Sequence, residues 1–146
     1  MPQKGKEMKT KQAIINFQTK GRNTYNISHE IESVIRQSGI TTGLCHIFIH
    51  HTSASLIITE NADPDVRRDL ETIIQRLSPD NDPEYYHTLE GPDDMSAHGR
   101  NMLTQTELTI PVTNGKSGLG TWQGIFLWEH RTSNFKRKLT ITLMGD

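Results

Sequence analysis

Cysteine is nearly absent. The 146-residue chain has one, Cys45, which rules out an intrachain disulfide. It lies in the apolar run Leu44 to Ile49 and reads as a small buried hydrophobe rather than a catalytic thiol. A basic excess is missing too. The formal net charge is −1, whereas a duplex-binding domain carries a cationic footprint. The one basic run, Lys4, Lys6, Lys9 and Lys11, is broken by Glu7 and reads as a solvated tail, so no nucleic-acid partner is expected. No apolar run approaches the roughly 18 residues of a membrane span. No apolar stretch of signal-peptide type follows the basic start. The expectation is a cytoplasmic protein with no membrane partner.

Familiar catalytic signatures are also lacking. There is no His-Glu-x-x-His, no paired-cysteine zinc knuckle, no Gly-x-Ser-x-Gly elbow and no dinucleotide fingerprint. Gly115-Lys116-Ser117 looks like the end of a P-loop, but Ile110 stands where its first glycine should be. A hairpin turn explains it better. Nucleophilic chemistry through Ser53 or Ser55 has no supporting motif.

Length fits one domain, expected over residues 9–146 behind a tail of residues 1–8. The apolar fraction of 33% implies a compact core, with some surface covered by oligomer contacts. Lys9 to Gln18 alternates as a half-buried strand, and Thr24 to Ile27 is a short second one. Ser28 is placed to cap a helix carrying Ile31, Val34 and Ile35, which Gly39 ends. The next strand, Leu44 to about His51, is apolar on both faces and is expected to be covered on both. Ser55 to Thr59 is another strand. Asp63-Pro64-Asp65 starts a second helix, with Val66, Leu70, Ile73, Ile74 and Leu77 at helical spacing. Residues 79–92 form a long polar loop of the kind that often carries function. Asp94 is placed to cap a short helix to Leu103. Glu107 to Val112, Leu119 to Glu129 and Arg137 to Leu143 complete the strands, the first two joined by the Asn114-Gly115 turn. Mixed helices ending in hairpin strands favour an α+β fold.

Polar chemistry gathers in three stretches. The first is His51-Thr52-Ser53-Ala54-Ser55-Leu56 with Glu60-Asn61-Ala62-Asp63-Pro64. The second runs from Tyr86-His87 to His98. The third is Gly120-Thr121-Trp122-Gln123-Gly124. Of seven histidines, His46, His50, His51, His87 and His98 cluster mid-chain. Neutral imidazole is the commonest metal ligand and a natural proton carrier. Gly118, Gly120 and Gly124 would let backbone N–H groups approach an anion, or equally mark a bulged strand. Trp122 reads as core. The expectation is one polar pocket built from all three stretches.

These residues, with Glu90-Gly91-Pro92-Asp93-Asp94-Met95-Ser96-Ala97-His98, closely resemble the YjbQ-like family, often labelled secondary thiamine-phosphate synthase. The resemblance covers roughly residues 9 to 145. It implies an α+β two-layer β-sandwich of about seven strands with two main helices against it, assembled as a homotrimer. The implied pocket residues are His51, Thr52, Glu60, Asn61, His87, His98, Thr121, Gln123 and Glu129. In this reading His51, His87 and His98 hold a divalent metal, Zn or Mg, or an anion. Glu60, His51 and His98 are catalytic, and Thr52, Asn61, Thr121 and Gln123 bind substrate. The implied reaction joins a thiazole phosphate to a pyrimidine diphosphate, or more broadly transfers or hydrolyses a group on a phosphorylated small molecule. The alternative is a non-enzymatic trimeric binder of a small anion or metal.

Overall fold

The structure, a computed structural model, describes residues 7–146. The first six residues of the expected tail lie outside that range. The described residues form eight strands and three helices. β1 (Lys9–Gln18), β8 (Lys136–Gly145), β3 (Thr42–Ile49), β5 (Glu107–Thr113) and β6 (Lys116–Ser117) lie side by side in one sheet. β2 (Asn23–Asn26), β7 (Gln123–Glu129) and β4 (Ala54–Glu60) make a second. Every pairing is antiparallel. The eighth strand, β6, is the two-residue return of the Asn114-Gly115 hairpin. Both turn residues have positive φ, 53° and 75°, as a tight turn between right-twisted strands requires. The long strand that follows, β7, does not pair with β5 as that hairpin suggested. The chain leaves the first sheet at Gly118, whose N–H still donates to the Pro111 carbonyl at 2.7 Å, and enters the second.

The two sheets bury alternate residues against each other, and α1 (Ser28–Ser38) closes the core with Ile31 and Ile35. Cys45, Ile47 and Ile49 face Leu56, Ile125 and Leu127 within this cluster. Each such side chain contributes on the order of 1.5–3 kcal/mol through burial. Ser28 does not cap α1. Its Oγ accepts the Ile125 N–H at 2.9 Å and ties the helix to β7. Gly39 ends α1 in the left-handed region at φ 72°.

β3 departs from the expectation of two covered faces. Its inward residues are buried, but Leu44 and Phe48 on the outer face are 55% and 37% exposed, with exposed Met144 on the adjacent β8 and exposed Ile14 on β1 beyond it. One chain supplies only one cover for this sheet.

The outer face of the second sheet carries Phe126 and Trp128. α2 (Pro64–Leu77) lies over part of it, begun by Asp63, whose Oδ1 accepts the Asp65 N–H at 2.9 Å. Only Ile74 of its apolar stripe is buried. α3 (Asp94–Leu103) follows the long loop and packs beside the start of β4, where Asn101 Nδ2 donates to the Ala54 carbonyl at 2.7 Å.

Gly43 shows how close β3 and β8 run. A Cβ there would collide with the Met144 carbonyl. Gly43→Ala should lower unfolding free energy by at least about 1–3 kcal/mol, read as a lower urea midpoint at unchanged slope.

Candidate functional site

α3 brings the site together. Asp94 and His98 sit four residues apart, one turn along the same helix face. Asp94 does not cap the helix, as its position had suggested. The N-cap residue is Asp93, and the Asp94 carboxylate faces the histidines instead. Asp94 Oδ2 lies 2.6 Å from His87 Nε2 and 3.1 Å from His98 Nε2. The donor atoms of His87, Asp94 and His98 all fall within 4.8 Å of one another. His98 Nδ1 is 2.9 Å from the Thr52 carbonyl. A carbonyl only accepts, so Nδ1 carries the proton and Nε2 is the ring's remaining ligand atom.

Arg131 holds this arrangement from behind. Its Nη1 pairs with Asp94 Oδ1 at 2.9 Å, its Nε with Asp93 Oδ2 at 3.2 Å, and its Nη2 donates to the Glu90 carbonyl at 3.0 Å. Thr132 adds its N–H and hydroxyl to Asp93 Oδ2 at 2.8 and 2.9 Å. Burial alone would raise both aspartates. Hydrogen bonds from Thr132 and Arg131 outweigh it and hold Asp93 down to about 2. Asp94 is also lowered, because the His87 hydrogen bond and the Arg131 charge together overcome its burial. The same bond raises His87 above 6.5.

His87 arrives on the 79–92 loop, which is pinned internally. Tyr85 Oη donates to the Pro79 carbonyl at 2.9 Å, and the Asn81 N–H donates to the Pro92 carbonyl at 2.9 Å. A cavity of about 410 Å³ opens beside His87, walled by Tyr85, Thr88, Met95 and Asn81. Glu90 lies 3.6 Å from His87 and is largely exposed.

The single pocket expected from the three motifs does not form within one chain. His51, expected as a ligand beside His87 and His98, is turned toward β8. Its Nε2 accepts the Lys138 N–H at 2.8 Å, so the lone pair a metal would use is taken. Burial, then Arg137, lower its pKa below 6.5. Thr52 reaches the site, through its carbonyl rather than its hydroxyl.

Glu60, Asn61, Thr121 and Gln123 stand at the far end of β4, about 20 Å by strand rise from its start at Ala54, the end near Thr52. Glu60, expected as a catalytic base, spends Oε2 on the Ala62 and Asp63 N–H groups at 2.9 and 2.7 Å. Asn61 Nδ2 donates to the Thr121 and Gln123 carbonyls, 3.2 Å each. Gln123 Oε1 accepts the Gly120 N–H at 2.7 Å. That N–H and the one at Gly118 are therefore occupied, and no anion nest forms there. Trp122, expected in the core, is exposed. Glu129 is fully buried and bonded to Arg137 and Thr19, and does not line the cavity beside His87. Asp94, Arg131 and Glu90 are site residues that sequence reasoning did not single out. The i, i+4 spacing of Asp94 and His98 was a usable signal for the first. Nothing in the sequence pointed to Arg131.

An α+β sandwich of two antiparallel sheets, with two imidazoles and a carboxylate converging at one end, defines the class of protein. The profile of the UPF0047 protein YjbQ-like family matches residues 13–146, and the chain belongs to that family. A UPF0047 protein of Synechocystis is 48% identical over 135 residues, 92% of each chain. YjbQ of Escherichia coli O157:H7 is 39% identical over 136 residues, 92% of this chain and 98% of that one. Among solved structures, a YbjQ-like protein of unknown function from Sulfolobus solfataricus superposes with a TM-score of 0.87 at 27% identity, covering 96% of this chain and all of that one. A YjbQ/UPF0047 protein from Clostridium acetobutylicum gives 0.79 at 32% identity, covering 88% and 98%. No helix among the described residues is long and apolar enough to cross a membrane.

Because the Asp94 bond raises His87, Asp94→Asn should move the His87 titration midpoint down from its position above 6.5. Histidine ring resonances followed by NMR across pH 5–9 would report it. An unmoved midpoint would show that the bond is absent in solution.

Proposed function

We propose that this chain binds a divalent transition metal through His87, Asp94 and His98, and uses it to transfer or hydrolyse a group on a phosphorylated small molecule. The supporting observation is His98. Its Nδ1–H donates to a backbone carbonyl and its Nε2 faces a carboxylate and a second imidazole. That is the outer-shell pattern of metal-binding histidine. Two imidazoles and one carboxylate suit zinc or a neighbouring first-row ion better than magnesium, which favours an all-oxygen set.

When bound, such an ion supplies Lewis-acid polarisation of a phosphoryl or carbonyl oxygen. The chain does the rest. Arg131 keeps Asp94 ionised and fixed. The cavity beside His87 receives the substrate's body against Tyr85 and Met95. Glu90, the exposed carboxylate beside His87, accepts a proton there. Thiamine-phosphate synthesis is the named version of this reaction that the family resemblance suggests. We place it in the cytoplasm, where a lone thiol stays reduced.

The same reading takes the working form to be a homotrimer, as the family resemblance implies. The open face bearing Ile14, Leu44, Phe48 and Met144 fits contact with further copies. Light scattering should return a mass of three 16.6 kDa chains. Leu44→Glu with Phe48→Glu should reduce it to one. A wild-type monomer would end this part of the proposal.

Metal analysis of purified protein should find equimolar zinc or a similar ion, lost in His98→Ala and Asp94→Asn. Because ligands must be deprotonated, uptake should weaken as pH falls through the His87 midpoint, which lies above 6.5. Turnover across a panel of phosphorylated metabolites, including the thiazole phosphate and pyrimidine diphosphate pair, should fall with metal removal and return on reloading. Unchanged metal content in His98→Ala would refute the site. Tight metal binding with no turnover on any substrate would leave a binding module in place of an enzyme.

A further inference from the structure

A second concavity lies away from the histidine cluster. α2 covers the outer face of the second sheet on the β4 side, leaving a cleft of about 530 Å³ between the helix and the edge strand β2. That volume suits a small metabolite. Thr24 and Trp128 lie on the sheet side, and Arg67, Arg68, Glu71 and Thr72 on the helix side.

The charges around it are not balanced. Arg22, at one end, has its charge matched by Asp80, which accepts from Nη1 and Nη2 at 2.7 and 2.9 Å, and the His130 carbonyl accepts from Nε and Nη2. Glu71 is neutralised by Arg100 at 2.7 Å. Arg67 has no carboxylate partner among the described residues. One of its nitrogens, Nη1, donates to the Glu60 carbonyl at 3.1 Å, and its guanidinium sits 4.7 Å from the centre of the Phe126 ring. The group is thus partly buried, oriented by an aromatic face, and left with N–H donors to spare. Arg68, the next residue, has only a long 3.7 Å approach to Asp65 and is largely exposed. The only carboxylate lining the cleft is the one already paired with Arg100.

From this we infer that the cleft between α2 and β2 is a binding site for the phosphate group of a small hydroxylated phosphate ester, with Arg67 as the primary contact and Arg68 as the second. A guanidinium matches phosphate oxygens two at a time, and one held rigid over an aromatic ring loses little freedom on binding. Thr24, Thr72 and the amide of Asn23, whose Oδ1 accepts the Thr24 N–H, supply polar groups for the ester's hydroxyls. This site does not require the metal site.

Trp128 lines the cleft and reports its occupancy. In a Trp122→Phe background, the remaining indole fluorescence should change saturably as glucose 6-phosphate is added, with inorganic phosphate competing and glucose giving no response. Arg67→Gln should weaken binding at least ten-fold. Arg67→Lys, which keeps the charge, should weaken it less. Arg68→Gln, a surface change, should weaken it several-fold with the melting temperature unchanged. Asp94→Asn should leave it intact, separating this site from the histidine cluster. Absence of saturation at millimolar ester, equal binding in Arg67→Gln, or loss in Asp94→Asn alone would each overturn the inference.

Discussion

Glu129 is a carboxylate fully removed from water, and the site end of the sandwich is assembled around it. It ends β7 in one sheet, and Arg137 reaches it from β8 in the other, with Nε 2.8 Å from Oε1 and Nη2 on Oε2. Thr19 adds its hydroxyl at 2.7 Å and Arg131 its backbone N–H at 3.2 Å. Arg137 also donates to the Ser53 hydroxyl and carbonyl at 3.1 and 3.3 Å. An ion pair this deep adds little net stability over a packed apolar pair, but removing one partner strands a buried charge at a cost of about 3–5 kcal/mol. Its structural role is positional. It fixes Ser53, hence the neighbouring Thr52 carbonyl that receives His98, and it anchors the strand end from which Arg131 reaches Asp93 and Asp94.

The histidine cluster therefore stands on charge linkages rather than on apolar packing. Arg131 holds two adjacent carboxylates, and one of these faces two imidazoles. A second set of bonds braces α3 from the other side: Arg22 to Asp80, Asp80 to Ser96, and Arg100 to Glu71. Arg22 and Glu71 of this set also line the α2–β2 cleft. Both concavities thus lean on the same helix while using different side chains.

Elements with a simple period were readable from the residues. β1 was placed residue for residue, Asp63-Pro64 begins α2, and Gly39 ends α1. Three features were not legible, each for a physical reason. The passage of the chain from β6 to β7 across the sandwich depends on tertiary pairing, and the turn signal at Asn114-Gly115 says nothing about which sheet the next strand joins. Leu44 and Phe48 looked buried because an apolar run on both faces of a strand does not say whether each face is covered. The motif residues looked like one pocket because proximity in sequence hides the length of β4, which sets Thr52 and Glu60 at opposite ends. Glu60, Asn61 and Gln123 turned out to organise loops by bonding backbone groups.

Cys45 faces the core of the sandwich, and burial pushes its thiol up to about 12. At cellular pH essentially no thiolate exists there to attack an electrophile or meet a peroxide. The chain's only sulfhydryl is consequently silent toward oxidants. A cysteine engineered anywhere on the surface would be the sole reactive handle, ready for a dye or spin label with no background to subtract.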